Sequence, residues 1–296
     1  MKRLMSNYKK WLGYFLFVLI LTTSLLYYRF PSDAVQDYLQ AIVERADPRV
    51  ALSIDRMEPW LPVGLKIMGT ELAIKDMPDK IIFRADRLLL KPQLWSLLHG
   101  EAKYCFDCLA YNGGLRGYVK KDRTTDFIDT EIELKNIHIG NYIYLSDLIG
   151  HHIEGNLDGT ILYKGRYSLL MDGSGEANLK LSNGRVELLQ PLFTLESINF
   201  KEMEIKMVLR NQKINMTRLE LNGEHFHGTL SGTITLKKEF AKSSIDLKGT
   251  IEPFAAFFKS TAGILDTVKF FKQRLNRGTL SFVIHGTLGE PRIKFT

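Results

Sequence analysis

The sequence is poor in cysteine: it has two, Cys105 and Cys108, in 296 residues. That number excludes a disulfide framework, so burial and backbone hydrogen bonds must hold the fold. Acidic residues are missing from the first 29 positions, which carry Lys2, Arg3, Lys9, Lys10 and Arg29. Without those five, residues 30–296 hold 35 basic against 33 acidic residues, so most of the net charge of +7 belongs to the N-terminus. A nucleic-acid reader needs a clustered basic stripe on its folded part, and this balance argues against one. Helical periodicity is scarce after residue 50, which excludes a parallel α/β sheet, whose crossovers need helices. No Gly-Lys-Ser/Thr follows the glycines of Asp172–Gly175 or Asn112–Gly114, so both read as turns rather than phosphate loops.

What the chain has instead is one short phrase written several times. GNLDGTILY runs from Gly155 to Tyr163 and GTLSGTITL from Gly228 to Leu236; DLKGTI ends at Ile251, and HGTLGEPRIKF starts at His285. An apolar residue at every second position lines one face of a strand. Glycine inside a strand marks a bend, a bulge or a close backbone approach. Strand-like runs are predicted from Val50, then at Leu65–Ile74, Ile81–Leu90, Ala102–Ala110, Leu115–Lys120, Phe127–Lys135 and Ile137–Gly140. They resume at Gly155–Lys164, Gly175–Leu181, Gly184–Leu189, Leu195–Phe200, Met203–Leu209, Lys213–Leu221, Gly228–Leu236 and Thr279–Leu288. The fold class is mainly β: a long, curved antiparallel sheet, half-barrel or taco-like, with one or two accessory helices. So many alternating strands make one large apolar face, which must curl on itself or hold an apolar guest. Leu157, Ile161, Leu230 and Ile234 are the candidate lining of such a groove.

Helix is expected in few places. Trp11–Tyr28 is an uncharged run of 18 residues, about 27 Å long as a helix and close to the thickness of a bilayer core. Trp11 and Tyr14 at one end and Tyr27 and Tyr28 at the other fit interfacial aromatic belts. Basic residues before the run keep the N-terminus in the cytoplasm, giving a tail at 1–10, a membrane anchor at 11–28 and an exported body at 30–296. A cleaved signal peptide would instead need its cleavage site near Thr22-Thr23-Ser24, inside the apolar run. Residues 33–46 form an amphipathic helix, with Asp33 and Gln36 as a capping box. Pro92–Leu98 and Tyr142–Ile149 read as helical turns. Residues 253–275 space Phe254, Phe257, Phe258, Ile264 and Leu265 helically, either as a cap on the sheet or as a basic amphipathic helix on a membrane or partner.

Leu88–Val119, LLLKPQLWSLLHGEAKYCFDCLAYNGGLRGYV, resembles the first sheet module of AsmA-like envelope proteins. The Phe30-Pro31 start with its helix, EPWLPVGLKI at Glu58–Ile67, and the ending IHGTLGEPRIKF at Ile284–Phe295 are similar to one branch of that superfamily, the type II secretion system protein N family. The resemblance covers nearly the whole chain in order and length. It implies a single-pass protein of the bacterial inner membrane with its main domain in the periplasm, working beside other secretion-system proteins. The superfamily implies a rival role, a carrier or conduit for lipid. Neither role brings catalytic residues or a cofactor, and the chain is expected not to be an enzyme.

Other chemistry is thin. Cys105-Phe-Asp-Cys108 lacks the βαβ setting of a redox motif. In a straight strand its Cα atoms lie about 10 Å apart, too far for a bridge. Either the strand bulges and a local disulfide forms, which an oxidising periplasm favours, or both thiols stay free. His225 and His227 on a strand would share a face, but nothing at metal-ligand spacing completes a site.

Overall fold

A computed structural model describes the chain except for residues 1, 99–100, 123, 143, 145, 147–151, 193–194 and 255–277. Helix α1 covers Lys2–Tyr28 and α2 covers Ser32–Ala46. Strands follow at β1 (Val50–Pro59), β2 (Leu65–Ile74), β3 (Met77–Pro92), β4 (Glu101–Ala110), β5 (Gly113–Asp122), β6 (Phe127–His138) and β7 (Ile153–Arg166). They continue as β8 (Ser174–Leu192), β9 (Leu195–Arg210), β10 (Lys213–Gly223), β11 (Phe226–Thr235), β12 (Ser244–Pro253), β13 (Leu280–Thr287) and β14 (Pro291–Phe295). A short helix, α3 (Leu94–Leu98), joins β3 to β4. All 14 strands form one antiparallel sheet in strict chain order, open at β1 and β14. Such a meander needs only short connections, which is why so little helix is required.

Three corrections to the strand boundaries share one cause. Phe127–Lys135 and the start of Ile137–Gly140 are a single strand, β6, with Asn136 at φ 52° where the register shifts, and Ile139–Asn141 form a 3-10 turn after it. The two runs within β8 join through Asn183 at φ 50°, and the two within β9 also form one strand. Asparagine tolerates the left-handed conformation that a bulge needs, so a break in alternation marks a bulge here rather than a turn. The turn between β4 and β5 is Tyr111-Asn112, at φ 51° and 60°, with Gly113 and Gly114 inside β5. The β9–β10 turn, Asn211-Gln212, has the same two positive angles, as two-residue hairpins prefer.

The repeated glycine phrase has a common structural meaning. Gly159 (φ 151°) and Gly232 (φ 143°) occupy equivalent places in their phrases. A Cβ on either would sit 2.3 Å from a carbonyl oxygen of the next strand, Asn178 or Asp246 respectively. Only glycine fits both the angle and the approach.

Helix α2 packs on the first strands. Val35 and Leu39, with Phe30 just before the helix, pack against Ile54, Met57 and Ile67, which are buried. The expected capping box is absent: the helix has no side-chain cap bond, and Gln36 is used elsewhere. Its amide donates to the carbonyl of Ile54 at 3.4 Å, and that of Gln40 donates to Leu52 at 3.2 Å. These carbonyls belong to the edge strand β1, so one face of α2 closes the edge that would otherwise invite another strand. β14 is the opposite edge. The helix expected over 253–275 falls on residues 255–277, outside the described residues, apart from its first two positions; most of Tyr142–Ile149 does too.

Candidate functional site: the apolar face of the sheet

The strand registers align the alternating residues into rows. One row crosses all strands from β1 to β14: Pro59, Leu65, Leu90, Phe106, Gly117, Ile132, Ile161, Ala177, Met207, Met216, Gly232, Leu247, Ile284 and Ile293, each directly opposite the next. No member is polar. Two residues along, a second row runs Met57, Ile67, Leu88, Cys108, Leu115, Leu134, Gly159, Leu179, Ile205, Leu219, Leu230, Gly249, Phe282 and Phe295. It too is apolar or glycine, with one cysteine. At about 4.8 Å per strand, each row runs about 60 Å along the sheet.

All four candidate groove residues lie on this face. Ile161 is in the first row and Leu230 in the second. Leu157 lies in a flanking row with Ile137, Leu181, Met203 and Leu221. Ile234 lies in the row on the other side, with Ile214, Leu209 and Ile245. All four are half-buried.

The packing clusters join into one track. Ile54, Met57 and Ile67 share Leu88 with the cluster of Ala85, Cys108 and Ala110. That cluster shares Tyr111 and Leu115 with Ile137, Ile139, Leu181 and Phe200. Leu221 carries the track into an apolar cleft of about 230 Å³, whose lining runs from Ile198 in β9 to Ile293 in β14. In a flat sheet those strands would lie about 24 Å apart, so the cleft follows the apolar face across five strand spacings. The face is nonetheless poorly covered. Of the first row only Leu247 is buried, at 6% exposure, and Ile293 is 55% exposed.

The reverse face is charged. The row next to Ile161 on that side reads Glu58, Lys66, Leu89, Asp107, Arg116, Glu133, Thr160, Asn178 and Lys206. Arg116 pairs with Asp107 at 3.0 Å and Lys66 with Glu58 at 3.8 Å across neighbouring strands.

The two cysteines are free, and the expected local bridge is not formed. β4 pairs residue by residue with β3 and β5 through Cys105 and Cys108 without a bulge. Residues three apart in such a strand point to opposite faces. Cys108 faces the apolar side, where burial, helped by the carboxylates of Asp107 and Asp86, pushes its thiol up to about 11. A thiol held protonated is a poor nucleophile.

Other candidates stay apart. Among the described residues, no three His, Cys, Asp or Glu side chains gather as a metal site. His227 contacts Asn222 at 2.8 Å and lies 3.7 Å from Glu220, while His225 Nδ1 is buried without a hydrogen bond. Sequence reading missed a cleft of about 600 Å³ where β7 and β9 end and β8 begins, lined by Lys164, Arg166, Asp172 and Arg210 beside Leu169. Its signal was there: RYSLLMD puts apolar residues in a connection between strands, where polar ones are usual.

Among the described residues no helix is long and apolar enough to cross a membrane. The uncharged run Trp11–Tyr28 lies wholly inside α1, though the side chains of Leu19, Thr23 and Leu26 are outside the described set. Trp11, Tyr14, Tyr27 and Tyr28 are all exposed, as are Phe15, Phe17 and Ile20 between them.

Fold and site define a class: an open antiparallel meander with one continuous apolar face and one charged face. Comparison of the chain with protein-family models, with curated proteins and with solved structures finds no match.

Proposed function

We propose that this chain is a non-enzymatic, membrane-anchored envelope protein whose curled sheet holds an apolar chain, such as the hydrocarbon of a lipid, along its inner face. The observation that carries the reading is the pair of unbroken apolar rows across 14 strands, most of whose members are only half-buried, with Met57, Ile67, Cys108, Leu247 and Gly249 fully covered. A sheet built only as a scaffold would gain more by covering them. The anchor is α1: 18 consecutive uncharged residues, basic residues before them, and exposed aromatic residues at both ends. In a bacterium this puts the sheet in the periplasm. The test is mass spectrometry of organic extracts from the full-length protein purified in mild detergent. Stoichiometric co-purifying lipid supports the reading, and a protein that elutes empty from lipid-rich membranes contradicts it.

A second reading is a part in type II protein secretion. It rests on the family resemblance and on the open edge at β14, where a partner's strand could add to the sheet. Deleting the gene in its host separates the two. Folded substrates accumulating in the periplasm behind an intact envelope favour secretion; a leaking envelope with normal secretion favours the lipid role.

A further inference from the structure

The strand directions sort the connections onto two rims. One rim holds the connections after β1, β3, β5, β7, β9, β11 and β13. Exposed large apolar side chains concentrate there: Trp60 (40%), Leu61, Trp95 (73%), Leu169 (50%), Leu170 and Phe240. The connections from β5 onward bond to one another, while those after β1 and β3, which carry Trp60, Leu61 and Trp95, close on their own hairpins through Trp60 N–H to Gly64 O at 2.9 Å and Gln93 N–H to Lys103 O at 2.8 Å. Tyr167 N–H donates to Asp126 O at 3.0 Å, Gln212 N–H to Met171 O at 2.8 Å, Leu236 N–H to Gln212 O at 2.7 Å and Leu288 N–H to Ser243 O at 2.9 Å. The result is a tied rim that holds apolar side chains in water, which calls for a partner surface.

The same rim is where α1 enters. Gln36 meets Ile54 and Gln40 meets Leu52, so α2 runs antiparallel to β1. Four helical residues rise about 6 Å, as do two strand residues, which puts Ser32 level with Arg56 and about 10 Å short of the connection after Pro59. From Tyr28 to Ser32 the chain reaches at most about 14 Å. The end of α1 is thus tethered within reach of the rim. Cations and carboxylates both lie there: Arg166 Nε is 3.8 Å from Asp126, Asp172 lines the cleft beside Arg166, and Lys242 pairs with Glu239 at 2.7 Å. The Lys91 ammonium lies 5.8 Å from the Trp60 ring centre and that of Lys121 4.9 Å from the Tyr167 ring centre. Arg210 lines the neighbouring cleft with Lys164 and Arg166, and makes no ion pair among the described residues.

We propose that this rim lies against an anionic phospholipid surface, with Trp60, Trp95 and Leu169 at headgroup depth and Arg166 and Arg210 facing lipid phosphates. Amphipathic rings beside cations suit that depth, and anionic headgroups complement the arginines. The proposal rests on α1 as the anchor, and it would place the near end of the apolar face at the bilayer.

The test uses the full chain in vesicles of zwitterionic and anionic phospholipid, with Trp11→Phe leaving Trp60 and Trp95 as the only tryptophans. Lipids brominated near the headgroup should cause roughly a twofold loss of emission, larger than lipids brominated at mid-chain. Arg166→Glu with Arg210→Glu should reduce that quenching in anionic vesicles. Unquenched Trp60 and Trp95 in a protein that resists carbonate extraction would overturn the rim proposal alone. Loss of the protein to carbonate would overturn the anchor reading and the rim placement with it. Shielding of the two tryptophans in native membranes but not in pure lipid would assign the rim to a protein partner and also overturn the proposal.

Discussion

Thr160 and Ile161 are neighbours in β7, yet their rows have opposite chemistry. Across the sheet from Thr160 lie Glu133 and Asn178; across from Ile161 lie Ile132 and Ala177. One face is a charged surface whose ion pairs bridge strands, and the other is an apolar track that the described residues leave half-covered. Alternation within a strand creates two faces, but only register makes each face continuous over 14 strands. Bulges preserve that continuity. Met216 and Leu219 differ in parity, yet both belong to the apolar rows, because the register shifts between them. Without that shift the last strands would present their charges to the track.

The largest effect should come from putting a charge into the apolar face. Ile67 is 2% exposed, and Ile67→Asp would bury a carboxylate without a partner at a cost above about 4 kcal/mol, expected to abolish folded protein. The matched change on the other face, Asn178→Asp, lies beside Lys206 and should alter stability by less than about 0.5 kcal/mol in urea unfolding. Next comes the glycine that lets the rows approach. Gly232→Ala faces both a φ of 143° and a contact at 2.3 Å, each costing about 1–3 kcal/mol, so its urea midpoint should fall well below that of the parent. A smaller effect is expected on the charged face, where Arg116→Gln should cost under about 1 kcal/mol and nothing measurable in high salt.

The cysteines give the mildest comparison, since Cys105 and Cys108 sit on opposite faces of one strand. Maleimide at neutral pH should label Cys105 well before Cys108. The buried thiol also predicts a weak alkaline dependence. Its folded value of about 11 lies above the ordinary 9.0, so between those values the unfolded chain loses a proton that the folded chain keeps. Stability therefore falls as pH rises through that window and is unaffected below it. Cys108→Ala should reduce the slope in urea titrations, leaving the part due to Tyr111, Tyr142 and Tyr163, whose hydroxyls burial also pushes up.

Much of this was legible in the sequence. Alternation located nearly every strand, and the repeated glycine phrases marked the close approaches at Gly159 and Gly232. What alternation could not supply was parity across a bulge: at Asn136 and Asn183 the pattern breaks, and one strand reads as two. Nor could it show which residues stand opposite each other, so the rows were invisible although every member was in view. The role of Gln36 was hidden for a related reason. Its spacing from Asp33 fits a cap, and only the placing of α2 against β1 brings its amide to the Ile54 carbonyl.

The most direct test asks what touches each face. A photoreactive residue replacing Ile161 or Met207 on one face, or Thr160 or Lys206 on the other, would be irradiated in the full-length protein in native membranes, and adducts identified by mass spectrometry. The account predicts lipid adducts from Ile161 and Met207 and none from Thr160 and Lys206. Equal labelling from both faces, or no lipid adduct from either apolar position, would contradict it.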